Sequence, residues 1–478
     1  MLKNVAKNRS RNWLLYGALL VGVAAAYLFI RAYGNTLSAP TPPLTRTIPG
    51  KLSAVHVNDF VHVLLALALI IASARLLGAV FRWIHQPPVV GEMIAGILLG
   101  PSFLGHVAPG FAAYILPPTI TALLNVISQF GVIIFMFLVG LGLDFSSLRG
   151  RARSTVLISH ASIVTPFLLG SLLALLLYPQ LSNSTVSFTS FSLFLGVAMS
   201  VTAFPVLARI LTDRHIHKTK IGVLTLACAA IDDVTAWCLL AFVVSVAQAQ
   251  AGGTLRTILM AIVYVAIMLF AVRPVVIRMT NWIDKKGQVT QGVLAGILLA
   301  TLLSSLATEM IGIHSIFGAF VLGAIIPNTS FVAKELTSKL EDFVIVFMLP
   351  AFFAFTGLRT QIGLLTHGRE WMFCFLIILV ASLGKFGGSS IAARLSGFNW
   401  RDASVLGVLM NTRGLMELIV LNIGLELHVI SPALFAMLVI MAIATTLAST
   451  PILHLITRRQ ELEAKETPLA RSVQVGAG

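Results

Sequence analysis

The chain has 478 residues, 57% of them hydrophobic and only 11% charged, with a mean hydropathy of +0.94. No water-soluble globular domain of this size is so apolar, so the composition describes an integral, multi-pass membrane protein. The formal net charge of +15 calls for no nucleic-acid partner, because the bases stand between the apolar runs and not with aromatics in a polar domain.

Apolar runs of about 20 residues, each long enough to cross about 30 Å of hydrocarbon as a helix, recur along the whole chain. They fall near residues 13–31, 60–81, 88–104, 123–143, 154–178, 190–212, 221–247, 255–277, 290–308, 313–331, 340–358, 371–393, 402–424 and 431–456. The alternating segments of about 10 residues that mark an outer-membrane barrel are absent. The first run follows Lys3, Lys7, Arg9 and Arg11; it reads as a retained helix or as a signal-like segment. GNTLSAPTPPLTRTIPG then forms a Pro-rich external linker, so residues 1–58 stand apart from a core at 59–456. Placing the N-terminus in the cytoplasm puts Arg149, Arg151, Arg153, Lys285, Lys286, Lys334, Lys339, Arg394, Arg401, Arg458 and Arg459 there too. This positive-inside bias predicts a cytoplasmic C-terminus, in a plasma membrane or bacterial inner membrane. Residues 457–478 read as a short polar cytoplasmic tail, and no Walker loop or GxGxxG motif suggests an enzyme or a nucleotide cofactor. Cys228, Cys238 and Cys374 all fall in apolar runs, with neither disulfide nor metal spacing, and are expected in the core.

The fold class is therefore an all-α polytopic membrane protein with about 13 core helices and one extra N-terminal helix. The core divides as six, one and six: residues 60–247, a linker helix at 255–277, and residues 290–456. By parity the two six-helix repeats enter the membrane from opposite sides, which makes them inverted, as in secondary transporters. The fifth span of each repeat is expected to be broken. In LFLGVAMSVTAFPVLARIL the interruption is Ser200, Thr202 and Pro205; in DASVLGVLMNTRGLMELIVLNIG it is Asn411, Thr412, Arg413 and Gly414. Two broken crossing helices would bring half-helix ends to mid-membrane, where Thr202 offers a hydroxyl or carbonyl to a cation.

Asp232 and Asp233, in AAIDDVTAWCLLA, come roughly 18 Å into their helix at 1.5 Å per residue. Carboxylates at that depth are costly and point to function. The candidate partner is Lys385 in SLGKFGG, flanked by glycines that permit close helix approach. Arg413 and Glu417 are spaced i, i+4 and form a pair expected to satisfy charge beside the unwound segment. Glu92 reads as an interfacial or funnel residue, Glu309 and Arg359 as helix-end residues, Asp144 as a cap, and His62 and His314 as packing residues. Hard carboxylate and carbonyl oxygens suit alkali cations and protons. A carboxylate that can hold either is already an antiport mechanism, with an uncoupled cation channel or a non-transporting sensor as alternatives.

SVTAFPVLARIL, AAIDDVTAWCLLA, SLGKFGG and MNTRGLMELIVLNIG, with QPPVVGEMIAGILLGPSFLG and FMFLVGLGLDFSSLR, resemble the membrane domain of the cation:proton antiporter-2 family, within the sodium/hydrogen exchanger superfamily. The resemblance covers about residues 60–456, in order. It implies a homodimer whose core domain moves against a dimerisation domain in an elevator-like motion. It implies that Asp233 binds the cation or protons, and that Asp232 pairs with Lys385, a pair associated with electrogenic members. Na+/H+ exchange is the expectation, with K+/H+ exchange open because the same motifs resemble plant exchangers and potassium-efflux proteins; Li+ is a further candidate. No appended nucleotide-binding domain is expected in the same polypeptide.

Overall fold

The computed structural model describes residues 2–40, 57–142, 152–214, 216, 219–248 and 254–475, which hold helices and no strand. In chain order the helices are α1 (Leu2–Gly34), α2 (Val57–Trp83), α3 (Pro88–Leu99), α4 (Leu104–Val107), α5 (Pro109–Ile115), α6 (Thr121–Leu141) and α7 (Ala152–Leu181). Next come α8 (Phe188–Ser200), α9 (Phe204–Asp213), α10 (Lys220–Gln248), α11 (Thr254–Ile267), α12 (Arg273–Lys286), α13 (Gln291–Ile311) and α14 (Ser315–Ile325). The chain closes with α15 (Phe331–Phe343), α16 (Leu349–Arg359), α17 (Gly368–Leu395), α18 (Trp400–Met410), α19 (Leu415–Glu426) and α20 (Pro432–Val475).

Local sequence explains many of the boundaries. Ser187, Thr290, Ser330 and Asn399 cap α8, α13, α15 and α18 by accepting a hydrogen bond from a first-turn amide. Gly287 and Gly312 end α12 and α13 in the left-handed region, with φ of 64° and 89°. One wide π-turn at Met268–Val272 joins α11 to α12, and another at Val344–Met348 joins α15 to α16, just before Pro274 and Pro350.

Among the described residues 10 helical stretches are long and apolar enough to cross a membrane, or 11 when the bent pair α18 and α19 counts as one. Several spans differ from the hydropathy reading. The run at 313–331 yields only the short α14, whereas the run at 88–104 is matched by the stretch Pro88–Val107, within which α3 ends at Leu99. The polar stretch after residue 456 continues α20 to Val475, as Glu, Ala, Lys and Leu are good helix formers. Asp144 and the loop around Arg149 and Arg151 lie outside the described residues.

The helices gather into two packed groups. In one, α2, α3, α6, α14 and α16 pack together; in the other, α7, α8, α10, α17, α18 and α20 do, with α1 against α7 and α8. Close approach within the second group depends on Gly384 and Gly388 of α17, where a Cβ would lie 2.8 Å from Pro166 Cα and 2.7 Å from the Ala161 carbonyl oxygen of α7. Gly384 and Gly388 of SLGKFGG thus seat α17 against α7 at the level of Lys385.

Candidate functional site

The site forms where the two interrupted helices meet. The first breaks at Val201–Ala203, between α8 and α9, and Pro205 stands in the first turn of α9, where its missing N–H costs nothing. The second breaks at 411–414, and its halves are bent by 47°. Gly414 is needed for proximity: a Cβ there would lie 2.6 Å from Val206 Cγ2 of α9. The Ala203 amide donates to the Thr412 carbonyl at 3.0 Å, so one break satisfies the other.

A helix ends with carbonyls that have no partner inside the helix. At the end of α8 these are met by cations. Arg413 donates to the carbonyls of Ala198 (2.9 Å) and Met199 (2.6 Å), and Lys385 Nζ donates to the Ser200 carbonyl. Arg413 also pairs with Glu417 at 2.8 Å, both side chains being fully buried. Thr446 of α20 fixes the backbone of Arg413 from both sides, accepting from its amide (2.8 Å) and donating to its carbonyl (2.7 Å). Ser200 donates to the carbonyls of its own turn and of Ile163, and Asn411 is buried with its Oδ1 unpartnered.

Asp232 and Asp233 project from the middle of α10 into this crossing, 0% and 1% exposed. Their surroundings differ sharply. Asp232 Oδ1 accepts from Ser159 Oγ at 2.5 Å, and its Oδ2 accepts from Ser162 Oγ (2.5 Å), Thr202 Oγ1 (2.9 Å) and Lys385 Nζ (3.2 Å). Among the described residues, neither oxygen of Asp233 has a hydrogen-bond partner. The structure therefore brings Ser200, Thr202, Asp232, Asp233, Lys385, Asn411, Arg413 and Glu417 into one buried region, with Thr202 on Asp232.

Other residues singled out from sequence lie elsewhere. Glu92 is buried in the second turn of α3, with its Oε1 3.7 Å from where a Gly78 Cβ of α2 would be. Arg359 of α16 pairs with Glu426 of α19 at 2.9 Å, and Glu309 accepts from the Ser315 amide at the start of α14. His62 packs edge-on against Tyr114, and His314 turns the chain before α14 with φ of 75°. Cys228 and Cys374 are buried, but Cys238 faces outward, because it falls on the outer face of α10.

Ser159 and Ser162 were not legible as site residues. Their i, i+3 spacing in STVLISHASIVTP puts two hydroxyls on one helix face. Small hydroxyl residues are so common in membrane helices that this signal is weak.

A family description of the transmembrane sodium/hydrogen exchanger matches residues 67–459. The chain is 45% identical over 397 residues to the Na(+)/H(+) antiporter NhaS4 of a Synechocystis species, covering 83% of this chain and 97% of that one. It is 39% identical over 400 residues to Cation/H(+) antiporter 20 of Arabidopsis thaliana and 33% identical over 431 residues to K(+)/H(+) antiporter 1 of Saccharomyces cerevisiae. These matches cover 80% and 86% of this chain but only 47% and 49% of the plant and yeast proteins, so it spans about half their length. In fold it is similar to the sodium proton antiporter MjNhaP1 from Methanocaldococcus jannaschii, with a TM-score of 0.53 at 15% identity, covering 82% of this chain and 96% of that one.

Proposed function

From the premise that the chain belongs to the sodium/hydrogen exchanger family, a family of transporters, we propose that it exchanges Na+ for protons through Asp233. The observation that carries this reading is the contrast between two adjacent buried acids. Asp232 is saturated by three hydroxyls and an ammonium, whereas Asp233 has no donor among the described residues. A carboxylate held in a low-dielectric interior without donors must take up a compensating positive charge, and either a proton or a hard monovalent cation supplies it. Each excludes the other, so a protein that crosses between its two open states only when Asp233 is compensated exchanges one for the other.

Asp232 and Lys385 act as its charge-coupled partners. Thr202 supports Asp232 with its hydroxyl, and Ser200, Asn411, Arg413 and Glu417 support the broken helices. If Lys385 gives up its proton when the cation enters, net charge moves. Each elementary charge crossing the membrane is worth about 2.3 kcal/mol per 100 mV. The matching positions of the two breaks support a division into repeats at 60–247 and 290–456 with the helix at 255–277 between them. The two packed groups of helices supply the parts that an elevator-like motion in a homodimer requires. The distribution of Lys and Arg supports a cytoplasmic C-terminus in a plasma or bacterial inner membrane.

K+ is the second candidate cation, favoured by the similarity to a yeast protein named as a K(+)/H(+) antiporter. Purified protein in liposomes with an internal pH dye tests both, comparing Na+, K+ and Li+ with and without a valinomycin clamp of the potential. The expected result is cation-driven proton flux that responds to the clamp and vanishes in Asp233→Asn. Flux that persists in Asp233→Asn overturns the assignment of Asp233, and current that ignores ΔpH overturns antiport.

A further inference from the structure

We infer that Arg359 and Glu426 are positioning residues that latch the two helix groups together on the side where α16 and α19 end, and so set how readily the site opens to that side. This rests on the antiport reading and deepens it: it names a contact that the change between the two open states must break.

Each partner of the pair is carried by a different packed body. A Cβ on Gly357 of α16 would lie 2.0 Å from the Gly96 carbonyl carbon of α3, and one on Gly100 would lie 2.4 Å from the Gly357 carbonyl oxygen. Backbones in such contact leave no room to slide, so Arg359, two residues further on, moves with α3. A Cβ on Gly424 of α19 would lie 2.1 Å from Phe194 Cζ of α8, which ties Glu426 to the other group. The 2.9 Å ion pair therefore crosses from one group to the other. Asn422, one turn before Glu426, repeats the crossing. Its Oδ1 accepts from Arg359 Nη1 at 3.4 Å, and its Nδ2 donates to Thr356 Oγ1 at 2.8 Å. The guanidinium also lies 4.1 Å over the Phe355 ring, which restricts where it can turn.

The apolar core is divided in the same sense. One cluster joins Ile97, Phe320 and Phe353 of the first group to Phe191, Leu240 and Phe435 of the second. The cluster built on Leu207, Cys228 and Leu406 lies toward the opposite ends of the second group's helices, and among the described residues it takes only Val89 from the first group. The two groups are thus fused where α16 and α19 end, and share almost no apolar core where α9 ends and α10 begins. The Lys and Arg distribution makes the fused side external, so this conformer faces the cytoplasm. Opening outward parts the shared core and takes Arg359 away from Glu426 and Asn422.

A partly exposed ion pair adds little to the stability of a fold. The ratio of two conformers, however, responds in full to a contact that only one of them makes. Apparent affinity from one side scales with the fraction of molecules open to that side. The ratio of the external to the cytoplasmic KM for Na+ therefore measures the latch, and the amount of folded protein cancels from it.

The test uses right-side-out and inside-out membrane vesicles holding the full chain, with KM for Na+ read from exchange of radioactive for unlabelled Na+. Ionic strength is held constant and pH is the same on both sides, which keeps His314, whose charged neighbours are Glu309 and Glu426, out of the comparison. The variants are Glu426→Gln, Arg359→Gln and the swap of Arg359→Glu with Glu426→Arg. The expected result is an external-to-cytoplasmic KM ratio lowered about two- to fivefold in each single variant, and returned towards wild type in the swap. A ratio that stays in place or rises in the single variants overturns the inference, since a packing role alone lowers the rate on both sides. A swap no nearer to wild type than the singles overturns the pairing. If one single variant does not reach the membrane as folded protein, the other decides. Wild-type vesicles with Na+-driven proton flux, and unmoved ratios in the variants, sink the latch and leave antiport standing. Wild type without that flux overturns both.

Discussion

The two helix breaks have the same architecture and opposite electrostatics. At the first, the carbonyls of Ala198, Met199 and Ser200 are covered by a guanidinium and an ammonium. At the second, the Leu409 carbonyl takes the Thr412 hydroxyl at 2.8 Å, the Met410 carbonyl the Thr202 hydroxyl at 3.5 Å, and the Thr412 carbonyl the Ala203 amide. All of these donors are neutral. A half-helix C-terminus carries a partial negative charge of about half an electron. Full cations at the first break more than offset it, while the second break keeps its negative end. The lesson is that a symmetric pair of interruptions need not make a symmetric site. The cations that cover the first break come from α17 and from the second break itself, and Lys385 is also paired with Asp232.

The comparison breaks most visibly at Arg413. Arg413→Ala uncovers two carbonyls and leaves Glu417 buried and unpaired, so a stability loss of about 3–5 kcal/mol is expected, read as a large fall in the thermal unfolding midpoint in detergent with loss of transport. Lys385→Ala uncovers one carbonyl, and Asp232 keeps its three hydroxyls. The expected loss is smaller, about 1–3 kcal/mol, and residual flux should no longer respond to the valinomycin clamp. At the second break Thr446→Val removes a neutral bridge to the Arg413 backbone, expected to cost about 1 kcal/mol. If it costs as much as Arg413→Ala, charge is not what distinguishes the two breaks. The Arg359–Glu426 pair, with side chains 26% and 27% exposed, is the control: Glu426→Gln should change stability by less than about 1 kcal/mol.

Composition and order were enough to read a helical membrane protein, the approximate spans, both breaks and the buried acids. Each rests on a local property: hydropathy over one span, a Pro or Gly in a run, or a carboxylate where water is scarce. Arg413 and Glu417 were also readable as a pair, because i, i+4 spacing sets their proximity within one turn. Cys238 was misjudged because an apolar helix in a membrane gives no periodic signal for which face is inside. Which acid is satisfied and which is bare was implied only by the family resemblance, and not by the residues themselves. Adjacent aspartates are equivalent in local pattern, and only the packing of α7, the α8–α9 break and α17 against α10 gives Asp232 four donors and Asp233 none among the described residues. The sequence alone determined that charges would sit deep within apolar helices, because their depth follows from residue count along each helix. Which partners those charges meet was decided by the tertiary structure, because a hydrogen bond depends on tenths of an ångström between residues as far apart as Lys385 and Asp232.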